Sequence, residues 1–168
     1  DIFSRLGLLK PVELELSEAK FTHPIVPKNW RDITLATTSY GYGISVSLLH
    51  LAKAYAILGN GGYYIEPTIL KKNEGVKSVS RVLKKETSDK ILKLLEAVVT
   101  DQSGTARILG NKYYRIGGKT GTAEKISLER RGYQTDKVIS NFVGLFPLKE
   151  PKFVIAAFLD EPENKLLM

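Results

Sequence analysis

The chain has 168 residues, 43% hydrophobic and 26% charged, an ordinary balance for a single globular domain. It has no cysteine, which excludes a disulfide framework and thiol catalysis and is compatible with either redox compartment. No apolar run reaches the roughly 18 residues of a membrane span, and no secretory signal opens the chain. The net charge of +7 and pI near 9.5 raise the question of an acidic partner. The cations are scattered, however, and short runs such as Lys84-Lys85 and Arg130-Arg131 read as solvated faces, so no nucleic-acid partner is expected.

In chain order, Ile2, Phe3, Leu6, Leu8 and Leu9 form an apolar pattern that reads as the end of a helix stopped near Gly7. A chain that opens inside a helix is expected to be cut from something longer. Residues 11–30 carry Pro11, Pro24 and Pro27 and read as an irregular connector. Within it, Ser17-Glu18-Ala19-Lys20 fits S-x-x-K, a serine-nucleophile spacing. That chemistry needs the serine at the start of a buried helix with the lysine one turn on. Pro24 follows too closely for such a helix, so Ser17 is expected on a surface loop.

Residues 30–38 have helical character, and residues 39–45 form a glycine-punctuated loop carrying Tyr40 and Tyr42. Ser47 is the expected N-cap of a helix whose apolar positions are Leu48, Leu51, Ala52, Tyr55, Ala56 and Leu58, ended by Asn60-Gly61-Gly62. His23 and His50 have no second histidine or carboxylate at metal-ligand spacing, so no metal site is expected. Residues 63–70 read as extended, 71–77 as a polar turn and 79–83 as a short strand. Thr87 is the expected cap of a second helix with an apolar face at Ile91, Leu92, Leu94, Leu95, Val98 and Val99, broken by Ser103-Gly104-Thr105. Three strands then follow at 118–125, 138–146 and 153–159. The last is an unbroken apolar run expected to be covered on both sides. The short connection 147–152 requires antiparallel pairing, and the polar stretch 127–136 reads as a mobile loop. The fold class is α+β, an antiparallel sheet of three C-terminal strands packed with helices.

The chemistry concentrates in Gly117-Gly118-Lys119-Thr120-Gly121-Thr122-Ala123-Glu124-Lys125: one ammonium, two hydroxyls and three glycines, suited to an anionic ligand laid along a strand edge. Gly118-Lys119-Thr120 fits the second half of the phosphate loop G-x-x-x-x-G-K-[ST], and residues 153–159 followed by Asp160-Glu161 imitate its magnesium-holding strand. The loop's first glycine, however, falls on Tyr113, and Tyr114, Arg115 and Ile116 are too bulky to wrap a phosphate.

The alternative is K-T-G, a signature of penicillin-binding proteins and serine β-lactamases. It is extended here, with Ser103-Gly104-Thr105-Ala106 upstream, Asn141-Phe142-Val143-Gly144-Leu145-Phe146-Pro147 downstream, and Ser39-Tyr40-Gly41-Tyr42-Gly43-Ile44-Ser45-Val46 before the Leu58-Gly59-Asn60-Gly61-Gly62 helix end. Together these resemble the transpeptidase domain of class B penicillin-binding proteins, nearest the division-specific peptidoglycan D,D-transpeptidases, over residues 3–162. The flanks fit a β-lactamase less well.

The resemblance implies an incomplete penicillin-binding transpeptidase or β-lactamase-like fold: one domain's C-terminal portion, with residues 1–62 as its helical part and 63–168 carrying helix, sheet and K-T-G. It implies a serine-type acyl transfer on D-alanyl-D-alanine stem peptides, inhibited by β-lactams, in septal cell-wall synthesis and without a cofactor. Lys119 and Thr122 match its catalytic positions, and Lys119, Thr120, Gly121 and Thr122 its substrate and β-lactam contacts. Thr122 contributes a backbone N–H to the oxyanion hole, and the Tyr40–Tyr42 loop lies near the cleft. No nucleophile helix and no S-x-N occurs, since both precede Asp1 in the family's order, so this chain alone is expected to be inactive. The resemblance also implies division-complex partners and the periplasmic face of the inner membrane. Exposed apolar faces are expected to drive self-association. A non-catalytic interaction module of a division complex is the alternative.

Overall fold

A computed structural model of the chain describes residues 2–71, 80–126 and 133–163. The chain forms two compact units, Asp1–Ser88 and Asp89–Met168.

The first unit begins with the short helix α1, Ile2–Arg5. The N–H of Leu8 reaches back to the Phe3 carbonyl and that of Gly7 to Ser4, which ends the helix where glycine tolerates φ of 75°. The S-x-x-K string is a single 3₁₀ turn, Ser17–Phe21, rather than an irregular loop, and only its Ala19 is buried. Helix α2 is Asp32–Ser39 and helix α3 is Leu48–Gly59. Ile25, before α2, and Ser45, after it, pair in an antiparallel bridge.

Ser47 caps α3 as expected, and the reciprocal partner is His50 rather than an acidic residue. The most buried stripe of α3 is His50, Lys53, Ala54 and Ile57, and Ile57 is fully buried. The sequence pattern pointed to a neighbouring stripe, because two polar residues lie on the one that is buried. His50 Nε2 meets the Lys10 carbonyl at 2.8 Å and its Nδ1 meets the Ser47 hydroxyl at 2.8 Å. A carbonyl only accepts, so Nε2 carries the hydrogen. Lys53 Nζ donates to Tyr64 Oη at 2.5 Å and lies 3.9 Å from Glu66. Burial pushes the Lys53 ammonium below its usual range and pushes the Tyr64 hydroxyl up to about 12. After α3, an antiparallel bridge joins Tyr63 to Arg81. The expected polar turn 71–77 and the start of the expected strand at Val79 lie outside the described residues, apart from Lys71.

Helix α4, Lys85–Thr100, starts two residues before the expected cap. Lys84 supplies the carbonyl that accepts from both Thr87 and Ser88, so Thr87 is inside the first turn. Ser88 is fully buried and donates to the Leu58 carbonyl at 2.8 Å. In the second unit α4 buries Leu95 and Val99, whereas Leu94, counted as core from its spacing, is 69% exposed.

The second unit's sheet has the order β1-β2-β3, all antiparallel: β1 Gly117–Ile126, β2 Tyr133–Phe146 and β3 Phe153–Asp160. β2 begins five residues before the expected strand. Gln134 and Tyr133 pair with Lys125 and Ile126, after a register shift at Glu124/Lys125 that leaves residues 135–137 as a bulge. Only 127–132 of the expected loop lie outside the described residues.

Val143 and Leu145 on β2 are buried, with Leu148 just beyond it. The expectation that β3 is covered on both sides fails among the described residues: Phe153, Ile155, Phe158 and Leu159 are each more than half exposed. The strand pairs with β2 along one edge, and its apolar side chains project from both faces of an outer strand.

Candidate active-site strand

The K-T-G string lies within β1, an outer strand of the described sheet. Lys119 is opposite Val143, Thr120 opposite Phe142, Gly121 opposite Asn141 and Thr122 opposite Ser140. Strand alternation sets Thr120 and Thr122 on one face and Lys119 and Gly121 on the other. Lys119 and Thr122 are exposed and Thr120 is half-buried. The Lys119 ammonium donates to the Thr120 carbonyl at 2.8 Å. The four residues named from sequence are therefore brought together on one accessible strand edge.

The glycines are there for space. A Cβ on Gly118 would stand 2.3 Å from the Phe142 ring and 2.7 Å from the Val143 carbonyl oxygen. One on Gly121 would stand 2.6 Å from Asn141 Oδ1. The Phe142 ring fills the space beside Gly118 and Gly144, and the Asn141 amide that beside Gly121. Ser140, across from Thr122, has a buried hydroxyl without a partner among the described residues.

Three ties hold the approach to β1. Arg115 makes a bidentate pair with Glu96 of α4, at 2.6 Å and 2.7 Å. That pairing, a hydrogen bond first and charge second, holds the Glu96 carboxyl below its usual range. The Arg115 carbonyl accepts from Leu148 N–H at 2.8 Å. The Thr105 and Thr120 hydroxyls lie 2.7 Å apart. Sequence reasoning missed the contacts of Glu96, Thr105, Asn141 and Phe142. Nothing in their spacing signalled them, since Glu96–Arg115 and Thr105–Thr120 are separated by 19 and 15 residues.

The phosphate-loop alternative is excluded by this geometry. Gly118 to Thr120 are extended and paired with β2 instead of wrapping a helix N-terminus. Asp160 and Glu161, its candidate magnesium ligands, both accept from Lys125, at 2.9 Å and 2.7 Å. Among the described residues no cluster could hold a metal ion, and no helix is long and apolar enough to cross a membrane. The other motif is also inert as placed: Ser17 is exposed and donates to Glu18 at 3.0 Å, while the Lys20 ammonium lies over the Phe21 ring. His23 is exposed, and Tyr40 and Tyr42 pack edge to face with centroids 5.9 Å apart.

Comparison with known proteins gives one answer. Residues 1–166 match the penicillin binding protein transpeptidase domain. The chain is 37% identical over 168 residues to a probable peptidoglycan D,D-transpeptidase FtsI of Caulobacter vibrioides, covering 96% of this chain and 28% of that protein. It is 33% identical to the peptidoglycan D,D-transpeptidase FtsI of Escherichia coli, covering 97% and 27%. Among solved structures it superposes on the transpeptidase domain of Burkholderia pseudomallei penicillin-binding protein 3 with a TM-score of 0.84 at 38% identity, covering 96% of this chain and 48% of that one. Mycobacterium tuberculosis penicillin-binding protein 3, solved with aztreonam, gives a TM-score of 0.88 at 27% identity, covering 98% and 40%. The chain thus spans little more than a quarter of these two curated relatives and about half of the solved domain. By this family match and these relatives, the chain belongs to the penicillin-binding protein transpeptidase domain family.

Proposed function

We propose that this chain is the C-terminal portion of the transpeptidase domain of a D,D-transpeptidase, in which both compact units belong to one domain. A serine carried by polypeptide outside these 168 residues attacks the carbonyl between the two D-alanines of a stem peptide. The C–N bond breaks, the terminal D-alanine leaves, and an amine of a neighbouring peptide displaces the serine to form the crosslink. β-Lactams mimic the dipeptide and acylate the same serine.

In this reading the Lys119 ammonium lies near the nucleophile and biases the cleft toward anions. The Thr120 and Thr122 hydroxyls donate to the substrate's terminal carboxylate, a charge-assisted contact. Gly121 lets the substrate backbone lie against β1 as an added strand. The Thr122 N–H is one oxyanion donor, a contribution of the kind whose loss lowers the rate by about 10²–10³. Septal wall synthesis, division-complex partners and the periplasmic face of the inner membrane complete the reading, and the exposed residues of β3 support self-association of the 168-residue chain alone.

The observation that carries this is the K-T-G string lying extended and accessible on an outer strand. A fluorescent penicillin tests it. The full-length gene product should be labelled covalently, the Lys119→Ala form labelled far more slowly, and the 168-residue chain alone not at all. Labelling of the chain alone, or an unaltered rate in Lys119→Ala, would overturn it.

A further inference from the structure

We infer that Thr105 is a positioning residue for the transpeptidase reaction: its hydroxyl donates to Thr120 and thereby points the Thr120 hydrogen at the substrate carboxylate. This rests on the reading of Thr120 as a carboxylate-binding residue.

The two hydroxyl oxygens are 2.7 Å apart. Each hydroxyl has one hydrogen, and either can donate in the isolated pair. A carboxylate only accepts. When one arrives at Thr120, the single Thr120 hydrogen must turn outward, and the hydrogen between the two threonines must then come from Thr105. A hydroxyl that accepts one hydrogen bond is polarised and donates the next more strongly. The Thr120 rotamer is also fixed before the ligand binds, so binding carries less entropic cost.

Thr105 is well held for this role. Gly104 N–H donates to the Asp101 carbonyl at 3.0 Å and Ala106 N–H to the Val98 carbonyl at 3.1 Å, so the residues on both sides are tied to the end of α4. Ala106 is buried, and a Cβ on Gly104 would stand 2.3 Å from the Val98 carbonyl oxygen, which keeps the turn in this one close-packed form. Thr105 itself is exposed, so its side chain adds little to the core. A side chain that packs little yet meets the K-T-G threonine at hydrogen-bond distance serves that threonine.

The test uses the full-length gene product, with acylation rates measured for a carboxylate-bearing penicillin and for its methyl ester, alongside thermal unfolding. Thr105→Val should slow acylation by the free acid about three- to tenfold, the worth of one oriented hydrogen bond. Thr105→Ser should restore it. The ester rate should change little in either variant, and the midpoint of unfolding should hold. In a Thr120→Val background, Thr105→Val should have no further effect. If Thr120→Val slows the free acid but Thr105→Val does not, the inference fails and the reading of Thr120 stands. If Thr105→Val slows acid and ester equally, or adds fully to Thr120→Val, its role is structural and the inference fails. If Thr120→Val does not discriminate acid from ester, the carboxylate reading of Thr120 fails as well.

Discussion

Gly118→Ala is the substitution whose cost the structure defines best. A new methyl would stand 2.3 Å and 2.7 Å from two Phe142 ring carbons and 2.7 Å from the Val143 carbonyl oxygen. The same ring also fills the space beside Gly144, where a Cβ would stand 2.6 Å from it. The carbonyl belongs to the strand paired with Lys119, so moving it displaces the β1–β2 ladder. Overpacking of this kind costs about 1–3 kcal/mol. Replacing glycine restricts the unfolded chain and returns about 0.4–1 kcal/mol. The net loss is about 1–2 kcal/mol, a fall of about 2–8 °C in the unfolding midpoint for a protein of this size. Differential scanning calorimetry measures it, and penicillin labelling should slow because Lys119 shifts with the ladder. Gly121→Ala supplies the contrast. There the obstacle is the end of the short Asn141 side chain, with Oδ1 at 2.6 Å and Nδ2 at 2.9 Å. Adding Asn141→Ala should therefore recover the stability lost in Gly121→Ala. A Gly118→Ala protein as stable as the parent would refute the close-packing account of the K-T-G glycines.

Ile57→Ala should be the most damaging single truncation in the first unit, about 2–5 kcal/mol by denaturant titration, because Ile57 is fully buried on α3. The Tyr64 hydroxyl gives an alkaline signature. Its native value is raised to about 12, so its contribution is complete below the ordinary value of 10.0 and is lost as pH rises between them. Stability should fall with pH over that window, and Tyr64→Phe should flatten the fall; Lys53, whose native value is lowered, acts in the opposite sense below its ordinary 10.5. The 168-residue chain alone should self-associate through the exposed β3 residues, and a strictly monomeric mass by light scattering would exclude that.

The legible parts of this chain share one property: side-chain chemistry sets them locally. Ser47 caps α3, the apolar spacing of α4 gives a helix, and K-T-G lies on a strand, as their sequences indicate. The misreadings came where the backbone or a distant partner decides. Thr87 looked like a cap, yet the Lys84 carbonyl begins α4. Tyr133 and Gln134 read as part of a polar loop, yet ladder pairing with β1 needs no apolar pattern. His50 and Lys53 lie on the buried stripe because Lys10, Ser47 and Tyr64 satisfy them, and no local rule names those partners. At the candidate site, the motif residues were legible and their supports were not.

Those supports explain how an outer strand can act as a ledge. An edge strand with three glycines in its first five residues should be pliable. Here the slack is removed on three sides. Phe142 and Asn141 fill the space the glycines leave, so the absent side chains become packing against β2 instead of freedom. Glu96 fixes Arg115, two residues before the strand, and Leu148 takes the Arg115 carbonyl. Because Arg115 holds the Glu96 carboxyl below its usual range, this tie is complete above the ordinary carboxylate value and persists until pH falls through the lowered one. Thr105 fixes the hydroxyl at the centre of the motif. None of the three ties involves β3, whose Phe153, Ile155, Phe158 and Leu159 are each more than half exposed. The geometry of K-T-G is thus set by β2, α4 and the turn after α4, and substitutions at the exposed β3 residues should leave the ledge unchanged.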